Sequence, residues 1–341
     1  MKDPFTGVKA KRLDPMDVGS TYDRWPDLAR AGLRAHVALP KKRFRAVYIL
    51  GMGGSAAAGD ILASWLWKEH RVETEVCKGV IGANDLSETL AIACSASGNT
   101  EETLSMMSEA LERGAVVAST SFGGRLAEES MKLGVPHFDM PEVLAPRYML
   151  PFMVFSCLAV IDKALGLAAE AEAKGAISEM AKLGNRIGMA APLSLNPSKK
   201  LALRLLGKTP SIYGTNGTRG AGIRFKNELN ENAKIHASYA EMPELLHNEI
   251  QAWEEPSERF VPVMLRDASE EEREGQLADV FTDILAGMGK DPLVVRGFGR
   301  TTLSRLVTMT YLLDYASYYV ALGSGRDPFP VPLITKLKST I

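Results

Sequence analysis

Short apolar runs that end in glycine or small hydroxyl residues, each followed by a stretch of helical spacing, recur through this chain. They restrict its fold more than any other feature. Ala46-Val-Tyr-Ile-Leu50 is uniformly apolar and stops at Gly51, and residues 55–70 then carry apolar side chains at helical intervals. Val72–Val76 and Leu90–Cys94 read as further strands, residues 99–113 as a helix, Ala115–Ser119 as a strand, residues 126–133 as a helix and His137–Met140 as a strand. Strands that are apolar throughout need cover on both faces, and regular alternation with helices predicts a parallel sheet between helical layers.

The rhythm breaks at Ala191-Pro-Leu-Ser-Leu-Asn-Pro-Ser198, which has two prolines and no period, and restarts at Ser211-Ile-Tyr213. That run enters Gly214-Thr-Asn-Gly-Thr218 and a helix over residues 221–232. Strands follow at 260–265 and 293–295, then a long helix over 301–322 and a short one over 332–340. The segments YILGMGGSAAAGDIL and SIYGTNGTRGAGIRF share one plan of strand, glycine loop and helix. The expectation is therefore two α/β domains of like design, residues 45–195 and 196–341, each a parallel sheet flanked by helices. Residues 1–44 are expected to form an N-terminal arm or helix lying on the first domain. A chain of 341 residues with 46% hydrophobic content is long enough for two cores.

Charge narrows the class of partner. Lys plus Arg number 40 against 41 Asp plus Glu, a net charge of −1, so the basic excess of a nucleic-acid-binding chain is missing. A small anion needs only a local positive site. The start, MKDPFTGVKAKRLDPMD, has no apolar core of a secretion signal, and Cys77, Cys94 and Cys157 are scattered and odd in number. Buried free thiols in a cytoplasmic protein are expected. The longest apolar run, residues 148–161, contains Pro151 and falls short of the ~20 residues of a membrane span, so it is expected to be a buried core helix. Metal-binding spacings such as His-x-His, His-Glu-x-x-His or clustered Cys are absent, and neither a metal nor a cofactor is expected.

Two turns carry the chemistry. Gly51-Met-Gly-Gly-Ser-Ala56 matches G-x-G-x-x-A, with Glu73 and Glu75 at the distance of a ribose-binding acid, so a dinucleotide site competes for it. A Walker A loop fits less well, because Asp60 stands where its lysine belongs. The second turn, Ser95-Ala-Ser-Gly-Asn-Thr100, follows a buried strand and opens a helix, so three hydroxyls and several N–H groups converge at the positive end of a helix dipole. That arrangement suits a phosphate monoester. The plainer alternative is helix capping by Ser97 or Asn99, with Glu101 and Glu102 in the first turn.

GMGGSAAAGD followed by SASGNTEETL resembles the sugar isomerase (SIS) domain. FKNELNENAK (225–234), MPELLHNEI (242–250) and the ending GRDPFPVPLITKLK are similar to the motifs of the bifunctional phosphoglucose/phosphomannose isomerase family, in that family's order over residues 45–341. The resemblance implies two SIS domains and reversible isomerisation of glucose 6-phosphate and mannose 6-phosphate with fructose 6-phosphate. It implies Glu231 as the base moving the proton between C1 and C2, with Glu228 three residues earlier as the competing carboxylate. It further implies His247 as the ring-opening residue, contributed across a homodimer interface, and Arg147 as the cation facing the enediolate. Lys338 would assist ring opening, or Lys336 if the alignment slips. Gly53, Gly54, Ser55, Ser95, Ser97 and Thr100 would hold the sugar phosphate. The remaining histidines, His36, His70, His137 and His236, match none of these motifs. Residue by residue, plainer readings stand beside these: a surface Glu231, a solvated His247, an Arg147 paired with Glu142, and lysines serving a helix dipole. A non-catalytic sugar-phosphate sensor, a nicotinamide oxidoreductase and another SIS ketose or amino-sugar isomerase are the alternative functions.

Overall fold

The computed structural model describes residues 3–82, 85–254 and 257–340. Packing divides the chain into two compact units: residues 24–180 with 299–306, and residues 1–23, 181–298 and 307–341. The division at 180/181 lies inside a helix, Glu170–Ile187, rather than in the proline-containing stretch near 195. That stretch is a helix start. Asn196 caps Pro197–Leu205 by accepting the Lys199 N–H at 2.9 Å, and Pro197 occupies the first turn, where its missing N–H costs nothing. The Asn196 amide also donates to the Ile187 and Gly188 carbonyls, tying the two helices together.

The first unit holds five parallel strands, β1 (Ala46–Gly51), β2 (Glu73–Cys77), β3 (Thr89–Ser95), β4 (Val116–Ser121) and β5 (His137–Asp139), in the order β2-β1-β3-β4-β5. β3 is buried at every position, as its unbroken apolar run requires. Tyr48, Leu50, Ala91, Ala93 and Val117 pack on Leu104, Met107 and Leu126 from helices Glu101–Glu112 and Gly124–Leu133. Helices Gly53–Trp65 and Leu150–Leu165 also pack on β1 and β3. Gly51 pairs with Cys94 and Ser95 with Ser121, so the loops after β1, β3 and β4 leave the sheet side by side. In this order, the carboxyl ends of β1 and β3 form the switch point where ligands bind in open α/β sheets.

The apolar run extends further than its sequence boundaries. With the short 3-10 turn Pro146–Met149, the helix reaches Leu165, and 20 residues of this composition are long enough to cross a membrane. Its residues are instead mostly buried within the unit, against helices Trp25–Gly32 and Gly53–Trp65. All three cysteines are buried and free, and the Cys94 and Cys157 sulfurs lie 3.6 Å apart.

The second unit holds β6 (Thr209–Gly214), β7 (Ser238–Glu241), β8 (Phe260–Arg266) and β9 (Leu293–Arg296), parallel and ordered β7-β6-β8-β9. This repeats the first four positions of the other sheet, which gives the shared strand–glycine–helix plan a structural counterpart. β7 has no apolar run to announce it: it is four residues long, partly exposed, and carries Ser238 and Glu241. Helix Thr302–Gly323 is buried almost throughout, and its tyrosines fill the unit's interior. Residues 3–23 pack here, not on the first sheet. The Phe5 ring sits 5.3 Å from that of Tyr319, Tyr318 donates to Asp14, and Tyr311 donates to the Tyr22 carbonyl.

Candidate active site

The loop from Ser95 to Thr100 is built by contacts within itself and with the loop after β4. Ser95, 2% exposed, places its Oγ 3.0 Å from Thr100 Oγ1 and accepts the Gly98 N–H at 3.1 Å. Ser97 is exposed and, among the described residues, accepts only the Asn99 N–H, at 3.3 Å. The N-cap of helix Glu101–Glu112 is Thr100, and no side chain caps it. The capping role expected of Ser97 or Asn99 is therefore not taken up. Asn99 instead accepts the Arg125 N–H, Leu126 donates to the Gly98 carbonyl, and Phe122 donates to the Ala96 carbonyl. The two loops interlock at glycine. Gly98 has φ +67°, and a Cβ there would lie 1.7 Å from the Gly123 carbonyl oxygen. Gly98→Ala is expected to destabilise the protein by roughly 2–4 kcal/mol through strain and overlap. Gly53→Ala, at φ +52° but with nothing within 4 Å, should cost only ~1–2 kcal/mol. Urea unfolding of the two variants measures the difference.

A histidine outside the expected set supports this region. His137 on β5 lies 2.8 Å through Nδ1 from Ser119 Oγ and 3.3 Å through Nε2 from Ser121 Oγ. Ser121 Oγ in turn donates to the Gly123 carbonyl and accepts the Gly123 N–H. Burial pushes the imidazole pKa down, against the opposing pull of Asp139. Sequence gives no signal for this chain beyond the Gly123-Gly124 pair, because its members are distant in sequence.

The first glycine loop stands on the neighbouring strand. Gly51 ends β1, where a Cβ would meet the Cys94 carbonyl oxygen at 2.9 Å, and Ser55 is buried in the first turn of helix Gly53–Trp65. Gly54 faces Arg147: a Cβ at Gly54 would lie 3.2 Å from the Arg147 Cα. Arg147 is 6% exposed, sits in the 3-10 turn ahead of the apolar helix rather than at its start, and lies with its guanidinium 4.5 Å from the Tyr148 ring centroid. The structure thus brings Gly54, Ser55 and Arg147 together in one unit. The dinucleotide reading loses its acid. Glu73 pairs with Ala46 at the amino end of the strands and Glu75 sits mid-strand beside Tyr48. The carboxyl end of β2 carries Cys77 and then Lys78, which pairs with Asp60 at 2.8 Å.

The second unit separates the two competing carboxylates. Glu228 is fully buried in helix Arg219–Glu231, ion-paired with Arg224 at 2.8 Å and bonded by the Asn232 amide at 3.0 Å. Arg224 also grips Asp314 of the long helix, at 2.7 Å. Burial works against the Arg224 charge, but Asp314 and Glu228 outweigh it and raise its pKa. Burial, helped by the nearby charge of Glu231, pushes the Asp314 carboxyl up to about 6 against the opposing pull of Arg224. Glu231, partly exposed at the end of the helix, is therefore the carboxylate at the edge of this network, and Glu228 is part of its interior. His247 is exposed at the end of a 3-10 turn, Glu244–His247, which follows β7. Lys336 and Lys338 lie on helix Pro332–Lys338, which has no buried residue.

Residues 194–341 match the family model described as the bacterial phospho-glucose isomerase C-terminal SIS domain. The bifunctional phosphoglucose/phosphomannose isomerase of Caldicellulosiruptor bescii is 33% identical over 86% of this chain and 89% of its own length. That of Aquifex aeolicus is 30% identical over 87% and 91%. Among solved structures, the C-terminal domain of glucosamine-fructose-6-phosphate aminotransferase from Francisella tularensis superposes with a TM-score of 0.69 at 16% identity, covering 96% of this chain and all of that one. This last likeness shows the fold alone.

Proposed function

Because this chain belongs to the bifunctional phosphoglucose/phosphomannose isomerase family, we propose that it interconverts fructose 6-phosphate with glucose 6-phosphate and mannose 6-phosphate through a cis-enediolate. The family match over 86% of the chain carries the reaction. The uncapped hydroxyl loop at the β1/β3 switch point supports a phosphate as the group held.

Ser95, Ser97 and Thr100, with Gly53, Gly54 and Ser55, bind the sugar phosphate in this reading. His247 of the partner subunit and Lys338 open the ring, moving a proton from the C1 hydroxyl to the ring oxygen. Glu231 then takes the proton from C2 of the open-chain aldose and returns it to C1. O1 is protonated as O2 gives up its proton and becomes the ketose carbonyl, so the overall composition is unchanged. Arg147 stabilises the negative charge on the intermediate; preorganised groups of this kind contribute most of the rate in proton abstraction beside a carbonyl. Rotation about C2–C3 of the enediolate lets one base serve both aldoses.

A homodimer fits two exposed features. His247 stands in solvent on its own chain, and helix Pro332–Lys338 leaves Leu333, Ile334 and Leu337 uncovered at 80, 40 and 60% exposure. Leu333→Glu/Leu337→Glu is expected to convert a species of twice the 37.0 kDa chain mass into a monomer, measured by light scattering, with loss of turnover. The setting is carbohydrate metabolism in the cytoplasm, consistent with three buried free thiols.

Coupled assay of the purified protein with fructose 6-phosphate tests the reading. Steady formation of glucose 6-phosphate supports it. Saturable sugar-phosphate binding without turnover would favour a sensor, and a thermal shift with NAD(P) but none with sugar phosphate would favour an oxidoreductase.

A further inference from the structure

The second unit contains a cavity of about 510 Å³ at the amino edge of its sheet, away from the Gly214 turn that follows β6. Three loops that feed β6, β7 and β8 line it, with the end of the long helix. Its charged lining is Lys208, Lys234, Arg259 and Arg326, joined by His236, and among the described residues no carboxylate lines it. Four cations gathered in one cavity are a strong local field in a chain whose net charge is −1.

Helix ends explain part of this. Helices Arg219–Glu231 and Thr302–Gly323 finish at this rim, and carbonyl ends attract cations. Lys234 Nζ accordingly donates to the Asn232 carbonyl at the end of the first helix; it also donates to the Asp327 carbonyl, and Lys208 Nζ to that of Glu258, both in loops. These bonds, all to carbonyl oxygens, fix where the two ammonium groups lie. Arg259 and Arg326 have no such role: both are exposed, and among the described residues neither guanidinium is hydrogen-bonded or ion-paired. The Asp327 carboxylate, next to Arg326, accepts the Phe329 N–H instead. Leu206, Ile235 and Gly323 supply an apolar wall between the charges.

We propose that this cavity binds a small organic anion carrying two or more phosphate or carboxylate groups. Its volume is that of a metabolite site, and two guanidinium forks beside two fixed ammonium groups match several anionic groups better than one. None of Glu231, His247 and Lys338 lines it, so the site is separate from the groups assigned to the isomerisation.

Calorimetric titration with inorganic pyrophosphate and with inorganic phosphate, at low salt, tests the proposal on the full-length protein. Pyrophosphate should bind saturably, at least tenfold tighter than phosphate, and stay bound in saturating fructose 6-phosphate. Arg259→Glu/Arg326→Glu should weaken it at least thirtyfold while leaving the thermal melt and sugar-phosphate binding unchanged. If the double variant fails to fold, Arg259→Gln, a single surface change, should still weaken pyrophosphate about fivefold. The proposal is overturned by absence of saturable binding, equal affinity for the two anions, displacement by fructose 6-phosphate, or full affinity in the folded variants.

Discussion

Glu231→Gln is expected to lower kcat for fructose 6-phosphate by roughly 10²–10⁴-fold, the usual contribution of a positioned general base, while sugar-phosphate affinity changes less than about threefold. Gln keeps the length and hydrogen-bonding shape of the side chain and removes only its ability to accept the C–H proton. Three residues upstream, Glu228 is the control. Its carboxylate is fully buried and paired with Arg224, so Glu228→Gln should act on stability first. A Glu231→Gln enzyme with near wild-type kcat, measured in the coupled assay, would assign the base elsewhere.

Arg224→Met is expected to cost about 3–5 kcal/mol, because it strands Asp314 and Glu228 as unpaired acids in the interior. Met matches the arginine stem in length and apolar packing, so the loss reports the missing charge rather than a cavity. Denaturant unfolding measures it, with a drop in the midpoint at unchanged slope. The same change should reduce turnover, since Glu231 sits at the border of this network and the network fixes the end of its helix. A loss below about 1 kcal/mol would show that water already reaches the two acids.

Much of the sheet structure was legible because buried parallel strands are unbroken apolar runs. β1, β3, β4, β6 and β8 each fall within a residue or two of the expected limits. β7 was not, since Ser238–Glu241 gains its strand state from pairing with β6 and not from its own composition. The proline-containing stretch near residue 195 reads as an irregular linker and is in fact a helix start. Proline and asparagine mark both linkers and helix starts, and only the hydrogen bonds of Asn196 distinguish them. Spacing also left Glu228 and Glu231 as rivals on one helix face. Burial separates them, and Asp314, which shares Arg224 with Glu228, lies more than eighty residues away. Arg147 was legible as a cation in an odd place, but its packing against Gly54 requires the tertiary fold. The supporting His137–Ser121–Gly123 contacts have no sequence pattern at all.

The central claim is an isomerisation that passes a proton through an enediolate and serves both aldoses. Incubating the purified protein with fructose 6-phosphate in D₂O and following the sugars by proton NMR tests it most directly. Glucose 6-phosphate and mannose 6-phosphate should both accumulate, with solvent deuterium at C2 in the fraction of turnovers in which the proton held by Glu231 exchanges before it is delivered. Fructose 6-phosphate that binds and remains unchanged would contradict it.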